Sequence, residues 1–329
     1  MGLTINPNDI EHDTPHAIGP ARLTIAQDLD ARNPWDEWDC QTPLVWGSLD
    51  SYRFDINRHD SGDDILDPFD GVPAPWASRH WRALCAILEL EPARHDMKAR
   101  ESVRDYGGGL GDARLELFRE ALDDMAPMGW GTAVDYFNAL AAIWELRGVP
   151  ALAFQRNGYC QGDSVLGLLV ATPAHAARCG FNLKNPGHDI RASLESDADL
   201  FGAWAFGDVF GFILEDSDGE PLDSCWGFYG YPWGCNPEPG NAWHVLEAAA
   251  EALEGLAPAE AREAQHKAQA ARRAFLDGKA EAQAAQAQGF KGPNLCAAVR
   301  AHLARVAQEW RDARRRARAW GALAAQVEA

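Results

Sequence analysis

The sequence lacks the features of a membrane span, a leader peptide or a disulfide framework. No stretch approaches the roughly 20 apolar residues needed to cross a bilayer, and residues 1–16 have neither a basic flank nor an apolar run. The 7 cysteines are odd in number, widely spaced and never arranged as C-x-x-C. These absences predict an unsecreted, cytoplasmic protein whose thiols are free.

The sequence also lacks the short motifs of common enzymes and metal sites. It contains no Walker loop, no dinucleotide fingerprint and no G-x-S-x-G element. The glycine-rich stretch at 106–112 has no G-K-[ST] ending and follows no strand, so we interpret it as a connector. Because the sequence contains no H-E-x-x-H motif and no C-x-x-C pair, a zinc site would need ligands from distant segments, and we predict no metal site and no bound cofactor.

Positive charge is scarce and unevenly placed. The chain has 30 Lys/Arg against 49 Asp/Glu, a net charge of −19. Residues 257–329 hold 13 Lys/Arg and 7 Asp/Glu, so residues 1–256 carry a balance of −25. An acidic body repels nucleic acid and attracts basic surfaces, including those with which proteins hold DNA. The alternative is that the charge serves only solubility.

Hydrophobic patterning predicts an α+β fold. Strand character appears at 42–56, 149–171 and 207–229, and the clearest tight turn is Asp218-Gly219. Apolar residues at helical spacing predict helices in four further segments, which are 76–88, 113–125, 132–147 and 189–199. We therefore predict one small antiparallel β-sheet built of hairpins, with helices packed on it and a C-terminal helical extension.

These patterns divide the chain into three predicted segments. Residues 1–34, which are polar and contain four prolines, are expected to form a flexible arm. Residues 35–255 would form an acidic α+β domain, and residues 256–329 a helical hairpin or oligomerisation element. The last helix repeats apolar residues at spacings of three and four, which predicts self-association through this set: Leu295, Val299, Val306, Trp310 and Trp320.

The stretch DSCWGFYG at 223–230 combines a thiol with aromatic residues and glycines. A two-residue turn at Asp218-Gly219 predicts three cross-strand pairs: Gly211 with Trp226, Phe210 with Gly227, and Phe212 with Cys225. Rings that lie over cross-strand glycines are a packing device of β-sheets. We therefore expect Cys225 to be buried among apolar side chains, where its pKa is raised and the thiol is unreactive.

The hairpin sequence FGDVFGFILEDSDGEPLDSCWGFYG resembles a segment of uncharacterised proteins encoded by bacteriophages and other mobile elements. In that family a G-D-V-x-G-F strand leads to D-S-C-W-G-F-Y-G. YCQGDSVLGLLVAT is similar to a second hairpin of the family, and NPWDEWD to an element near its N-terminus, so the resemblance covers residues 33–57 and 149–231. The family has no assigned activity, cofactor or catalytic residue. What the resemblance implies is an accessory gene of a phage or plasmid that acts in a bacterial cytoplasm.

Charge and resemblance together predict a non-catalytic accessory protein that binds a host protein. The expected partner is a nucleic-acid-handling defence complex whose DNA-binding surface the protein would occupy, and neither nucleic acid nor a membrane is expected to bind the acidic body. The predicted contact residues belong to one acidic loop: Asp60, Asp63, Asp64, Asp67 and Asp70.

Two other functions remain open on the sequence. A thiol- or metal-dependent hydrolase would use residues near the two hairpins together with a distant histidine: Cys160, Asp163, Asp223 and Cys225. A self-assembling structural or replication accessory protein would use the C-terminal helices, which also makes a homo-oligomer possible.

Overall fold

In the computed structural model of this chain, two compact units are formed. The first contains Met1–Ala31 and Gly207–Ala329, and the second contains Arg32–Phe206. The residues that the structure describes are 3, 5, 10, 11, 13–37, 42–50, 53–58, 65–126, 130–157, 164–180, 188–230, 243–287 and 293–327.

The described residues form strands and helices in the following order along the chain. The strands are β1 (His16–Ile18), β2 (Ala21–Gln27), β3 (Leu44–Asp50), β4 (Arg53–Arg58), β5 (Ala151–Asn157), β6 (Ser164–Val170), β7 (Val209–Glu215) and β8 (Pro221–Tyr229). The helices are α1 (Pro34–Glu37), α2 (Ala74–Ile87), α3 (Pro92–Tyr106), α4 (Leu110–Asp124), α5 (Trp130–Leu146), α6 (Pro173–Cys179), α7 (His188–Ala205), α8 (Trp243–Ala287) and α9 (Pro293–Val327).

The first unit is a four-stranded antiparallel sheet with two long helices on one face. The strand order is β1-β2-β7-β8. Leu23 and Ile25 alternate with polar or less buried residues along β2, as a strand with one covered face requires. The covered face packs on apolar residues of α8 and α9, among them Val245, Leu253 and Trp320.

Helices α8 and α9 pack side by side as an antiparallel pair. The rings of Phe275 and Trp310 stack with their centroids 5.6 Å apart, and Trp320 joins the same core as Ala264. Val306 and Trp320 are buried, and Val299 and Trp310 are half-buried, while the side chain of Leu295 lies outside the described residues. The apolar stripe is thus largely covered within the chain, and self-association through it stays a prediction.

The N-terminal residues are part of the sheet, so the predicted flexible arm at 1–34 is wrong for the strand residues. β2 lies between β1 and β7, and Leu23 and Ile25 are fully buried. The short alternating run ARLTIAQ carried the strand signal, which the surrounding prolines and polar residues obscured. The predicted domain at 35–255 is wrong as well, because Gly207 and the residues after it belong with the N-terminus.

The second unit is a four-stranded antiparallel sheet with helices on both faces. Its order is β4-β3-β6-β5. Leu166 and Leu168 pack in one core with residues of α2, α4 and α5, whereas Val165 and Leu169 pack in another with Phe201 of α7. The continuous apolar run of β6 therefore follows from the burial of both of its faces.

The α+β class is confirmed, but the prediction of one sheet is wrong. The hairpin at 207–229 belongs to the first unit, whereas the strands near 43–58 and 149–171 pair in the second. The pairing of β2 with β7 joins segments that are distant in sequence. Among the described helices, even the 45-residue α8 does not combine the length and apolar character needed to cross a membrane.

The hairpin register is confirmed for part of its length. Cys225 lies opposite Phe212, as predicted. Phe210, however, lies opposite Phe228 and not Gly227, because β8 contains one additional residue at this point and Gly227 takes a φ of 86°. The Trp226 ring covers Gly211, and a Cβ at Gly211 would overlap that ring and lie 2.7 Å from the carbonyl oxygen of Cys225.

The prediction that Cys225 is buried is wrong. β8 is an edge strand, and residues 223–227 are all exposed. Tyr229, near the end of the strand, is the residue of β8 that is buried. The register argument located the partner of Cys225 correctly, but it did not take into account that packed helices need not cover an edge strand.

Each sheet has a glycine under an aromatic ring. Gly211 lies under Trp226, and Gly167 lies under Phe154, whose ring carbons are 2.7 Å from the position that a Cβ at Gly167 would take. We expect Gly211→Ala to lower the free energy of unfolding by about 1 to 3 kcal/mol, since the methyl group overpacks the site. The measurement is urea unfolding of the full chain. Gly255→Ala is the control and should raise stability by about 0.5 to 1 kcal/mol, since Gly255 is an exposed helical residue with nothing within 4 Å. Equal stability of Gly211→Ala and the natural chain would contradict this packing role.

Candidate functional site

The described part of the predicted acidic loop is held against α4 and α5. The Asp67 carboxylate accepts a hydrogen bond of 2.9 Å from the Phe69 backbone N–H, and its oxygen lies 3.9 Å from Nε of Arg119. Asp67 thus shapes the loop, while Asp70 is exposed. Asp60, Asp63 and Asp64 lie outside the described residues, so the role of the loop as a contact surface stays a prediction.

Arg147 is the main anchor of this loop. Its guanidinium lies 4.4 Å from the centre of the Trp144 ring and donates to the carbonyl oxygens of Pro68, at 2.5 Å, and Asp70, at 3.2 Å. The Trp144 indole N–H donates to the Ile65 carbonyl at 2.9 Å. These bonds use the loop backbone and leave the Asp70 carboxylate available to a partner.

The residues predicted for a hydrolase are not brought together by any described contact. Cys160 and Asp163 lie outside the described residues. Asp223 is exposed, and its carboxylate accepts from the Ser224 backbone N–H at 2.8 Å. The Cys225 thiol is exposed and lies 3.9 Å from the Trp226 carbonyl oxygen.

A different thiol, Cys179 at the end of α6, lies beside a buried imidazole in the second unit. Its sulfur is 3.9 Å from Nδ1 and 3.8 Å from Nε2 of His175, the residue one helical turn earlier. The His175 backbone N–H donates to the Thr172 side chain, which caps the helix. The i, i+4 spacing of His175 and Cys179 is thus converted by α6 into side-chain contact.

A buried polar network continues from the imidazole. Nε2 of His175 is 3.4 Å from the Thr42 hydroxyl, which donates to the Asp197 carboxylate at 2.5 Å. The hydroxyl proton thus points to Asp197, and the thiol lies at nearly equal distances from the two imidazole nitrogens. Burial raises the pKa of Asp197, although the hydrogen bond from Thr42 opposes the shift.

This arrangement has the order of a nucleophile, a base and an orienting group, but it also has features of a structural network. Cys179 is the last residue of its helix, where the partial negative charge of the helix end disfavours a thiolate. The network also connects the residues just before β3, α6 and α7 with satisfied hydrogen bonds, which is what buried polar groups require. Sequence reasoning missed Thr42 and Asp197, because no local spacing links them to His175.

The acidic residues of the first unit are concentrated in one part of the chain. Residues 207–256 contain ten Asp/Glu and no Lys/Arg. Burial raises the pKa of Asp208 to about 6, so this carboxylate is partly protonated in mildly acidic solution. Five of the others lie on or beside the β7–β8 turn: Glu215, Asp216, Asp218, Glu220 and Asp223.

The acidic residues of this turn have different roles. The Asp216 carboxylate accepts from the backbone N–H groups of Asp218, at 2.7 Å, and Glu220, at 3.0 Å, and so holds the turn closed. Asp218 pairs with Arg316 of α9. Glu220 and Asp223 are exposed and form no ion pair with any residue in the described ranges, so their charge is available to a partner.

A charged cleft of about 340 Å³ lies where the two long helices meet this turn. Its acidic lining residues are Asp216, Glu260, Glu263, Glu309 and Asp312, against the basic Lys267 and Arg316. The Glu263 carboxylate accepts from Lys267 at 2.7 Å, which raises the pKa of the lysine. This ion pair is exposed, so it contributes little to stability. Because its acidic residues outnumber its basic ones, the cleft adds to the negative potential around the turn.

We name residues 220–226 the acidic edge. β8 is the last strand of its sheet as described, so its outer edge presents unpaired backbone groups. Glu220 and Asp223 place carboxylates there, and the Trp226 side chain is 44% exposed although its ring also covers Gly211. A strand edge, two carboxylates and a partly exposed tryptophan are typical of a surface that binds protein.

Comparison with known proteins finds no match for the chain among protein-family models, curated proteins or solved structures. Sequence reasoning favoured the loop at 60–70 because its aspartates are dense, whereas the signal for the acidic edge was the complete lack of Lys/Arg from 207 to 256.

The three described thiols should differ in reactivity according to burial. In native-state labelling with iodoacetamide, followed peptide by peptide by mass spectrometry, we expect Cys225 to react first because it is exposed. Cys179, which is half-buried, should react more slowly, and the buried Cys85, whose pKa burial raises, should react only after unfolding. The chain unfolded in urea is the control, in which all three should react alike. Faster labelling of Cys179 than of Cys225 would mean that His175 activates the thiol.

Proposed function

We propose that this chain is a non-catalytic accessory protein of a phage or plasmid that binds a host protein in the bacterial cytoplasm through its acidic edge. The observation that carries the proposal is the exposure of Asp223 and Trp226 on the edge strand β8 and of Glu220 immediately before it, with neither carboxylate in an ion pair to a described residue. The resemblance of this hairpin to mobile-element proteins supports the genetic context.

A protein partner fits this surface better than a nucleic acid. Phosphate groups would meet a segment of ten carboxylates and no cation, and this repulsion opposes binding. A basic protein surface gains from the same charges, because complementary potentials steer association and fix the orientation of the partners. The exposed strand edge can also bond to an extended segment of a partner through backbone groups.

The class of partner follows from the sign and density of the charge. Lys/Arg clusters of high density are characteristic of proteins that hold DNA, so an acidic surface can compete with DNA for them. We therefore propose a nucleic-acid-handling defence complex as the partner, with counter-defence as the outcome. The loop at 60–70 is a second contact region in this proposal, since Asp70 is exposed on its anchored part.

A thiol hydrolase is the second candidate, and one observation favours it. The Cys179 sulfur lies 3.8 Å from an imidazole nitrogen of His175, which in turn lies 3.4 Å from the Thr42 hydroxyl. The position of the thiol at a helix C-terminus argues against a reactive thiolate. The labelling rate of Cys179 separates this candidate from the binding protein.

The proposal is tested by neutralising the acidic edge. The full tagged chain is used to capture proteins from bacterial lysate, and the variant Glu220→Gln/Asp223→Asn is compared with it. We expect capture of a nucleic-acid-binding protein by the natural chain, with loss of about tenfold in the variant because interfacial charges contribute most when they face opposite charge. Capture should also weaken as ionic strength rises.

The matched control is Glu120→Gln/Asp124→Asn, which removes the same charges from exposed positions of α4 in the second unit. It should retain capture. A further variant with Asp60, Asp63 and Asp64 changed to Asn tests the loop separately. Equal loss in the edge variant and the α4 control would mean that net charge, and not this surface, governs binding, and capture of no nucleic-acid-binding protein would overturn the proposed partner.

A further inference from the structure

The paired helices α8 and α9 carry a second groove whose charge is opposite to that of the acidic cleft. This basic groove has a volume of about 680 Å³ and is rimmed by Arg272, Arg314 and Arg318, with no acidic residue in its lining. Its floor includes Ala268, Ala317 and Gly321, small residues that let another helix approach closely. A wide groove of this kind, floored by small residues and rimmed by cations, suits an acidic helix.

The arginines of the basic groove are available for binding. Arg272 and Arg318 are both exposed, and neither makes an ion pair with any residue that the structure describes. Arg314 lies 6.0 Å from the centre of the Trp310 ring, a contact that orients the guanidinium without neutralising it. Three cations are thus gathered in a chain whose net charge is −19.

The complementary charge lies on the same face of α8. Glu247, Glu251 and Glu254, which we name the acidic stripe, occur at spacings of four and three. The same spacing continues along the helix through Pro258 and Ala261 to residues that line the basic groove, Gln265, Ala268 and Arg272. One face of α8 therefore carries carboxylates in its first third and Arg272 further along, where Arg314 and Arg318 of α9 line the same groove.

The acidic stripe is accessible. Glu251 is exposed and forms no ion pair with a described residue, and Glu247 is exposed with one hydrogen-bonded contact of 2.8 Å to His244. Glu254 accepts from the Leu3 backbone N–H. Two carboxylates of the stripe, Glu247 and Glu251, can therefore meet a cation without breaking an ion pair to Lys or Arg.

An acidic segment followed by a basic one on one helix face is self-complementary. If two copies of α8 pack antiparallel about a two-fold axis near Ala261, Glu251 lies about 15 Å from the axis on one side and Arg272 about 16 Å on the other, at 1.5 Å per residue. Glu251 of each copy then faces Arg272 of the other, and Arg314 and Arg318 flank the same contact. This is the symmetry that an isologous dimer requires.

We infer that the basic groove is the site of homodimerisation, occupied by the acidic stripe of a second copy of this chain. The inference does not rest on the proposed host partner, because it uses a different face of the first unit. It differs from self-association through the apolar stripe of α9, because its specificity comes from charge. The occupant is identified by charge complementarity, because the acidic stripe of α8 places its carboxylates at the spacing needed to face the arginines of the basic groove.

The inference is tested by charge reversal in the full chain, with mass measured by analytical ultracentrifugation. The natural chain should dimerise. Arg272→Glu and Glu251→Arg should each weaken the dimer at least about tenfold, because each homodimer then places like charges opposite one another twice. An equimolar mixture of the two variants should restore the dimer, since every reversed residue meets its opposite in the mixed pair. Both positions are exposed, and circular dichroism checks that each variant is folded.

Each other outcome overturns the inference. A natural chain that stays monomeric at up to about 100 μM, well above the micromolar constants of weak homodimers, has no such dimer. A dimer that persists in both single variants uses another surface. Failure of the mixture to recover the dimer means that Glu251 and Arg272 do not face each other. Binding of a single-stranded oligonucleotide to a monomeric natural chain, lost in Arg272→Glu, would assign the groove to a nucleic acid instead.

Discussion

The pairing of β2 with β7 is the constraint on which the first unit depends. Six residue pairs join the two strands, from Arg22 with Glu215 to Gln27 with Phe210. Because these strands flank residues 32–206 in the sequence, the pairing makes the second unit an insertion within the chain of the first. The entropic cost of closing so long a connection grows only slowly with its length. The inserted unit also has its own sheet and cores, so the segment between the two strands is itself folded rather than a flexible loop.

This pairing also determines where the functional surfaces lie. With β2 and β7 in the interior of the sheet, β8 becomes an edge strand, and its Asp223 and Trp226 side chains are exposed in spite of the apolar sequence around them. The opposite charge is carried by the basic groove between α8 and α9, and the apolar residues of the same helices cover the other strands. One unit therefore presents an acidic strand edge and a basic groove on different elements. Because the two surfaces have opposite charge, the acidic edge can bind a basic partner while the basic groove binds an acidic one.

Local sequence signals predicted the α+β class, the β7–β8 turn and the pairing of Phe212 with Cys225. Each of these depends on residues close together in the chain, such as Asp218-Gly219. The single sheet and the flexible arm were wrong because strand partnership between distant segments leaves no local pattern. The same reason explains why Thr42 and Asp197 were missed beside His175. The extra residue in β8 shifted the expected partner of Phe210, since a bulge cannot be read from turn geometry alone.

The central claim is that the acidic edge meets basic residues of a protein partner. Zero-length carbodiimide cross-linking of the captured complex tests it directly, because the reagent joins a carboxylate only to an amine that it already contacts. The account predicts cross-linked peptides in which Glu220 or Asp223 is joined to a lysine of the partner. Partner lysines joined only to carboxylates of the second unit, with none at residues 220–226, would contradict it.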